Sequence, residues 1–251
     1  MPLKHQAGAT PPGGTVLSSQ VAQQLAEELR SGRFAKAARL PAEVDLAAQL
    51  GVSRTVIRDA LGELERAGFV ERVRGIGTVV HRSVVHLPDR LDQKVEFLSM
   101  IADAGHTPHT DHLRLDYLPA DKALASLLEV EPGTQLLRVR KRVLADERPV
   151  IWCVDYMPMS IFRGVNPERL DLAAPIFDLL ERECGQCVTS TTAKVQAVYG
   201  DEDMRRLLRL APTEALLLLD EVSYSRLCRP VMRSLGYYTN FFDFSILRKK
   251  F

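Results

Sequence analysis

The sequence predicts an α+β chain of two domains. A small helical module closed by a two-stranded ribbon comes first, and a mixed α/β domain around an antiparallel sheet follows. Three observations carry this reading. Leu40 to Val80 has the pattern of two short helices, a tight turn between them and two strands. His81 to Asp92, HRSVVHLPDRLD, is polar and contains a proline, as a linker does. From Leu113 onward strand and helix patterns alternate, and part of the pattern returns eighty positions later. A length of 251 residues suits two modest domains, and 46% hydrophobic with 26% charged residues is ordinary for a globular protein. No apolar run approaches the ~20 residues of a membrane span. No signal peptide is visible at Met1, so the 4 cysteines are expected as reduced thiols in the cytoplasm.

In chain order, residues 1–14, ending TPPGG, have nothing to pack and are expected to form a disordered tail ahead of a module spanning 15–82. Val16 to Phe34 reads as an amphipathic helix with Val21, Leu25 and Leu29 in its stripe and Ala22 and Ala26 beside it. Leu40-Pro41 suits the entry to a second helix, with Leu46, Ala47 and Leu50 inward. Gly51 ends that helix, and Ser53 can cap the next by accepting a backbone N–H bond. Ile57, Ala60, Leu61 and Leu64 then form an apolar face, which leaves Arg54, Thr55 and Arg58 off it. Gly68 stops the helix. Phe69–Val73 and Ile76–Val80 are the strands, joined at Arg74-Gly75. A helix whose first turns expose two arginines and a hydroxyl beside a tight turn is what reading a DNA major groove requires, and the hairpin behind it is a wing with an arginine at its tip. The pattern is a winged helix-turn-helix. Residues 1–83 hold 11 Lys/Arg against 8 Asp/Glu, a net +3, while the remainder holds 22 against 24, a net −2. The small basic excess favours phosphate contact, and a dimer that places two modules at once would strengthen it.

LPAE, GVSRTVIRDAL and LERAGFVERVRGIGTVV resemble the winged helix-turn-helix of the GntR family of bacterial transcription regulators. The resemblance implies that Ser53, Arg54, Thr55 and Arg58 face DNA from the reading helix, and Arg74 and Gly75 from the wing. One position departs: relatives often carry Arg after the LPxE glutamate, where this chain has Val44.

The linker is expected at 83–92 and the second domain at 93–251. Gln93 to Ala104 reads as a short helix with Val95, Leu98 and Ile101 or Ala102 inward. Strands follow at Leu113–Leu118, Gln135–Leu144, Pro149–Met157, Val188–Tyr199, Leu216–Ser225, Val231–Thr239 and Phe242–Leu247. Helices are expected at Ala120–Leu128, Ile176–Cys184 and Glu202–Leu210. Asp121, Leu127, Leu128, Val130, Pro132, Leu136 and Leu137 recur as Asp201, Leu207, Leu208, Leu210, Pro212, Leu216 and Leu217. Seven matches in one register argue for a repeated unit and a pseudo-symmetric sheet with a cleft between its halves.

The LAD turn at 144–146, YMP at 156–158, the LLxxxP turns and the RPV…YY stretch resemble the UTRA effector-binding domain of the HutC branch of that family. The resemblance implies a UTRA-like (chorismate-lyase-like) domain that binds a small metabolite and forms a homodimer. Relatives that bind phosphorylated amino sugars place three arginines, two carboxylates and a tyrosine where this chain has Lys141, Val143, Thr239, Cys153, Met232 and Tyr238. With Phe97, Phe177 and Trp152 near, the expected effector has one anionic group and an apolar body. The alternative is that Val143, Cys153 and Met232 are core. Arg138, Arg140 and Arg142 alternate on one strand face and are expected to be solvated or to face a dimer partner.

His106, His109, His112 and Asp111 carry metal-ligand chemistry, but Pro108 breaks the helix that their spacing needs, so no metal is expected. Cys184 and Cys187 form a CxxC that follows a helix C-terminus rather than opening a helix, so no redox role is expected. No nucleophile elbow, Walker loop or HExxH motif occurs, and no cofactor is expected. The expected function is a DNA-binding transcription regulator, a repressor whose homodimer spans a near-palindromic operator and responds to a small molecule. The alternatives are a small-acid-transforming enzyme fused to a winged module and an effector-independent DNA binder.

Overall fold

A computed structural model describes residues 13–93 and 96–250. The chain forms two compact units, Met1–Gln93 with Phe244–Phe251, and Lys94–Asp243. The expected disordered tail lies outside the described residues except for 13 and 14, and Val95 lies outside them too.

In the first unit α1 (Gly13–Arg30), α2 (Glu43–Leu50) and α3 (Arg54–Arg66) pack around Leu25, Leu29, Leu46, Ile57 and Leu61, each no more than 1% exposed. Those side chains recur at helical spacing, so three apolar faces close on one another. Gly51 ends α2 in the left-handed region at φ 66°, and the Ser53 side chain accepts the Val56 N–H at 3.3 Å to cap α3. β1 (Val70–Val73) and β2 (Gly77–Val80) form the antiparallel wing. Its second strand is tied to the segment before α2, where the Leu40 N–H donates to the Thr78 carbonyl and the Val80 N–H to that of Ala38, both at 2.9 Å.

The stretch expected as linker differs. Arg82–Val85 is a short helix, α4, and Val84 and Val85 are buried in the first unit's core. Two apolar residues in a polar run give no periodicity to read. The expected last strand, Phe242–Leu247, is also absent: apart from one isolated bridge between Arg90 and Ser245, these residues have no strand partner. Leu247 packs instead against the first unit's core.

The second unit is a six-stranded sheet in the order β3-β4-β5-β8-β7-β6, with every neighbouring pair antiparallel. Its strands are β3 (Pro108–Pro119), β4 (Gln135–Ala145), β5 (Arg148–Pro158), β6 (Val188–Tyr199), β7 (Ala215–Ser225) and β8 (Pro230–Tyr238). Its helices are α5 (Phe97–Asp103), α6 (Lys122–Leu128), α7 (Ile176–Cys184) and α8 (Glu202–Leu208). The strand order is a palindrome of two strand–helix–strand–strand units.

The sequence echo has matching geometry. Asp121 and Asp201 cap α6 and α8 by accepting from Leu124 N and Met204 N, each at 2.8 Å. Glu129 and Arg209 end those helices in the left-handed region. α6 and α8 cover one face of the sheet. Two 3-10 turns, Met159–Phe162 and Pro167–Arg169, pack on the other with α7, over Leu137, Val139, Met157 and Met232.

Arg138, Arg140 and Arg142 are neither a solvated stripe nor free for a partner. Arg138 and Arg140 both bind the Asp116 carboxylate, and Arg142 makes a bidentate pair with Asp111 at 2.6 and 2.7 Å while donating to the Leu207 carbonyl. Acids on the neighbouring edge strand pair with all three, while Arg140 Nε is buried without a hydrogen-bond partner.

Candidate nucleic-acid interface and ligand cavity

The outer face of α3 carries Arg54, Thr55 and Arg58, all exposed, while Ile57, Ala60 and Leu61 on the opposite face are fully buried. Helical geometry forces this split, because positions three and four apart share a face. Arg58 has only a loose contact with Asp59 at 4.0 Å, with both side chains more than half exposed, so its guanidinium is available to a ligand. Ser53 is taken up in the cap. Arg74 and Gly75 stand exposed at the wing tip, where Gly75 adopts φ 79°. Sequence reading missed Arg39, which donates to the Ile76 carbonyl at 3.3 Å and braces the wing. It lies outside every periodic element, so only its neighbour Leu40 signalled an ordered segment. Val44 is exposed on α2, so the position where relatives carry Arg offers no charge.

In the second unit a cavity lies between the sheet and the helices α5 and α7. Its wall includes Phe97, Phe177, Cys153, Met232 and Tyr238, five of the seven residues expected to meet an effector. Strand register brings them together: Cys153 pairs with Gly236, one position before Tyr237 and two before Tyr238, so alternate residues of β5 and β8 share one face. A Cβ at Gly236 would meet the Tyr238 ring at 2.7 Å, so glycine leaves the space that the ring occupies.

Lys141 and Val143 are not in the wall. Val143 is fully buried core. Lys141 is 1% exposed, and its ammonium donates to the Leu172 carbonyl at 2.9 Å and stands 5.4 Å from the centre of the Phe97 ring. It supports the wall from behind. Trp152 points to the other face of β5, beside Arg142 and Tyr237.

Three carboxylates that sequence reading did not single out complete the wall: Glu96, Asp155 and Glu221. The Ser234 hydroxyl, also in the wall, donates to Asp155 at 2.7 Å. Burial drives the Tyr238 phenol well above its ordinary pKa, and Cys153, Glu221, Asp155 and Glu96 push it further in the same direction. The cavity volume is about 40 Å³, which by the space one water needs holds about three waters.

Among the described residues no group of three or more His, Cys, Asp or Glu is placed to hold a metal ion. His106 pairs with Asp146 at 2.7 Å, and Asp111 is occupied by Arg142. Burial, then Glu183, raises the Cys184 thiol, the reverse of what an activated redox cysteine needs. No helix among the described residues is long and apolar enough to cross a membrane.

Comparison with known proteins agrees with this geometry. Residues 17–80 match the bacterial regulatory proteins of the gntR family, and residues 103–240, more than half the chain, match the UTRA domain. The transcriptional regulator YurK of Bacillus subtilis is 25% identical over 92% of this chain and 95% of its own length. The mannosyl-D-glycerate transport/metabolism system repressor MngR of Escherichia coli is 23% identical over 82% of this chain and 84% of its own. Among solved structures, PhnF from Mycobacterium smegmatis has a TM-score of 0.60 at 24% identity, covering 92% of this chain and all of its own. YydK from B. subtilis reaches 0.75 at 18%, covering 94% of this chain and 99% of its own. A winged helix-turn-helix followed by a UTRA sheet, over nearly the full length of these regulators, places the chain in the GntR family of bacterial transcription regulators, in the group that carries a UTRA effector-binding domain.

Proposed function

We propose that the chain is a repressor whose homodimer binds a near-palindromic operator and releases it when a small metabolite fills the cavity of the second unit. Its place would be the cytoplasm, beside the chromosome. The observation that carries the DNA-reading half is the division of α3: an apolar face fully buried, and Arg54, Thr55 and Arg58 outward next to a wing tipped by Arg74. Two such modules about one helical turn of DNA apart, roughly 34 Å, would meet successive major grooves. MngR and the B. subtilis relative NagR are both named as repressors, which supports the sign of regulation.

The effector reading keeps the apolar body expected from sequence, laid against Phe97 and Phe177. The polar part of the wall, Glu96, Asp155, Glu221 and Ser234, would meet its hydrogen-bonding groups. A volume of about 40 Å³ is too small for such a molecule, so binding selects a form in which α5 or α7 stands away from the sheet. That displacement couples occupancy to operator binding.

The test is to enrich duplexes from a random-sequence pool with the full chain and measure affinity for the winner. Arg58→Ala should weaken binding by about 1–3 kcal/mol and relax base preference at one position if Arg58 reads a guanine. Failure of the wild-type chain to enrich any sequence would overturn the reading.

A further inference from the structure

An α-helix leaves its last carbonyls without partners inside the helix. In α3 each of them can be traced. The Leu64 carbonyl accepts from Phe69 N at 2.9 Å, and that of Glu65 from Gly68 N at 3.0 Å. Side chains from outside the helix-turn-helix supply further donors. Arg90 donates to the Ala67 carbonyl at 2.6 Å. The Lys249 ammonium donates to the Glu65 carbonyl and reaches that of Arg66 at 3.5 Å.

These two cations belong to a clasp made of residues 88–92 and 245–249. Leu91 N donates to the Ser245 carbonyl at 2.9 Å, Ser245 N to that of Asp89 at 3.2 Å, and the Ser245 hydroxyl to that of Pro88 at 2.5 Å. Asp92 accepts from Arg90 Nε at 3.1 Å and, through the same oxygen, from Leu247 N at 3.2 Å. Arg90 is 8% exposed and its guanidinium lies 5.4 Å from the centre of the Phe69 ring, immediately after α3.

Leu247 enters the same corner. Gly68 has φ +77°, and a Cβ built on it would meet the Leu247 side chain at 2.2 Å. Glycine there serves both the left-handed backbone and the close approach of the clasp.

We propose that residues 245–249 position the reading helix for DNA, with Lys249 the positioning residue at its carbonyl end. The proposal rests on the reading of α3 as the DNA-reading helix. A cation at a helix C-terminus is favourable against the aligned peptide dipoles. Here it also ties the end of α3 to a segment anchored by Leu247 and Asp92, which fixes the direction in which the N-terminal turns aim. Thr55 and Glu65 are separated by about 15 Å of helix at 1.5 Å per residue, so Lys249 acts far from the base-reading turns. A residue in this role changes how well a chosen sequence is recognised, and not the general attraction to phosphate.

The experiment uses full-length chains with Lys249→Met, Lys249→Arg and Leu247→Ala, tested against the enriched duplex and against a scrambled duplex of equal length, at several salt concentrations. Lys249→Met should weaken binding to the enriched duplex by about three- to tenfold, from the loss of a helix-end cation and its charged hydrogen bond. Affinity for the scrambled duplex and the dependence on salt should stay at the wild-type values, and Lys249→Arg should retain most of the specific affinity. Leu247→Ala should show the same selective loss. Equal weakening on both duplexes with a shallower salt dependence would make Lys249 a phosphate contact and overturn the proposal. Unchanged affinity in both Lys249→Met and Leu247→Ala would overturn it as well. A wild-type chain that enriches nothing would instead sink the DNA-reading assignment on which it rests.

Discussion

The two halves of the large sheet share one plan and carry opposite chemistry. In the eighty-residue register Arg140 on β4 corresponds to Asp220 on β7, and Lys141 to Glu221. The basic member is turned inward as scaffold, since Lys141 holds the Leu172 carbonyl. The acidic member faces the cavity, where Glu221 is part of the wall. The edges differ too. On β3, Leu115 packs into the cluster that includes the 3-10 turns and α7. Its counterpart on β6, Val195, is 53% exposed, and Tyr199 farther along is 73% exposed. The edge of the first copy is covered and the edge of the second is exposed. Repetition supplied two equivalent edges, and the 159–184 segment that follows the first copy packs over only one of them.

This contrast can be broken experimentally, and the largest effect is expected at the bare edge. If β6 is the homodimer face, Val195→Asp puts two like charges near each other across it. That should raise the dissociation constant by about a hundredfold or more, which sedimentation velocity over a dilution series will report. The matching change on the roofed half, Leu115→Asp, should damage folding instead of assembly.

A smaller effect separates scaffold from cavity wall. Lys141→Met leaves the Leu172 carbonyl without its donor and should cost about 1–3 kcal/mol in urea unfolding. Glu221→Gln keeps the shape and an acceptor, and should reduce stabilisation by any cavity ligand. Unchanged ligand stabilisation in that variant would erase the distinction between the halves.

The smallest effect concerns the roofed edge's ion pair. The bidentate Arg142 guanidinium holds the Asp111 carboxyl below its ordinary pKa. Because the folded value lies below the unfolded value, about 3.9, the pair stabilises above that pH, and the contribution is lost as pH falls through the folded value. Asp111→Asn should therefore cost about 1 kcal/mol at neutral pH, with a shallower loss of stability below about pH 4 in thermal melts. A variant that parallels wild type down to pH 3 would remove Asp111 from the account.

What was legible in the sequence follows the range of the interactions. The helix-turn-helix was legible because its caps, turns and stripe are local: Ser53 caps α3, and Gly51 ends α2. α7 and β6 were readable to their ends, since one has a strong apolar face and the other runs between turns. α4 was not, because Val84 and Val85 are buried by elements distant in sequence. β3 begins earlier than expected, as Pro108 to His112 is polar on an edge strand whose partner residues on β4 supply the order. Phe242–Leu247 alternates like a strand but finds no ladder.

The cavity was half visible. Cys153, Met232 and Tyr238 were found by position, while Asp155 and Glu221 were passed over because charged strand residues usually face water. Two signals were present: Asp155 lies two residues beyond Cys153, hence on the same face, and Glu221 occupies the register of Lys141.

The palindromic strand order also governs assembly of the sheet during synthesis. β8, the last strand in sequence, pairs with both β5 and β7 in the middle of the sheet. As the chain emerges from the ribosome, the two three-strand halves cannot join until that strand appears. In the interval β5 and β7 both present open edges, the condition under which strands pair with the wrong neighbour. The same final stretch carries Leu247 and Lys249 to the end of α3. A nascent chain therefore completes its six-stranded sheet with Tyr238 and gains the Leu247 and Lys249 contacts with the first unit only afterwards.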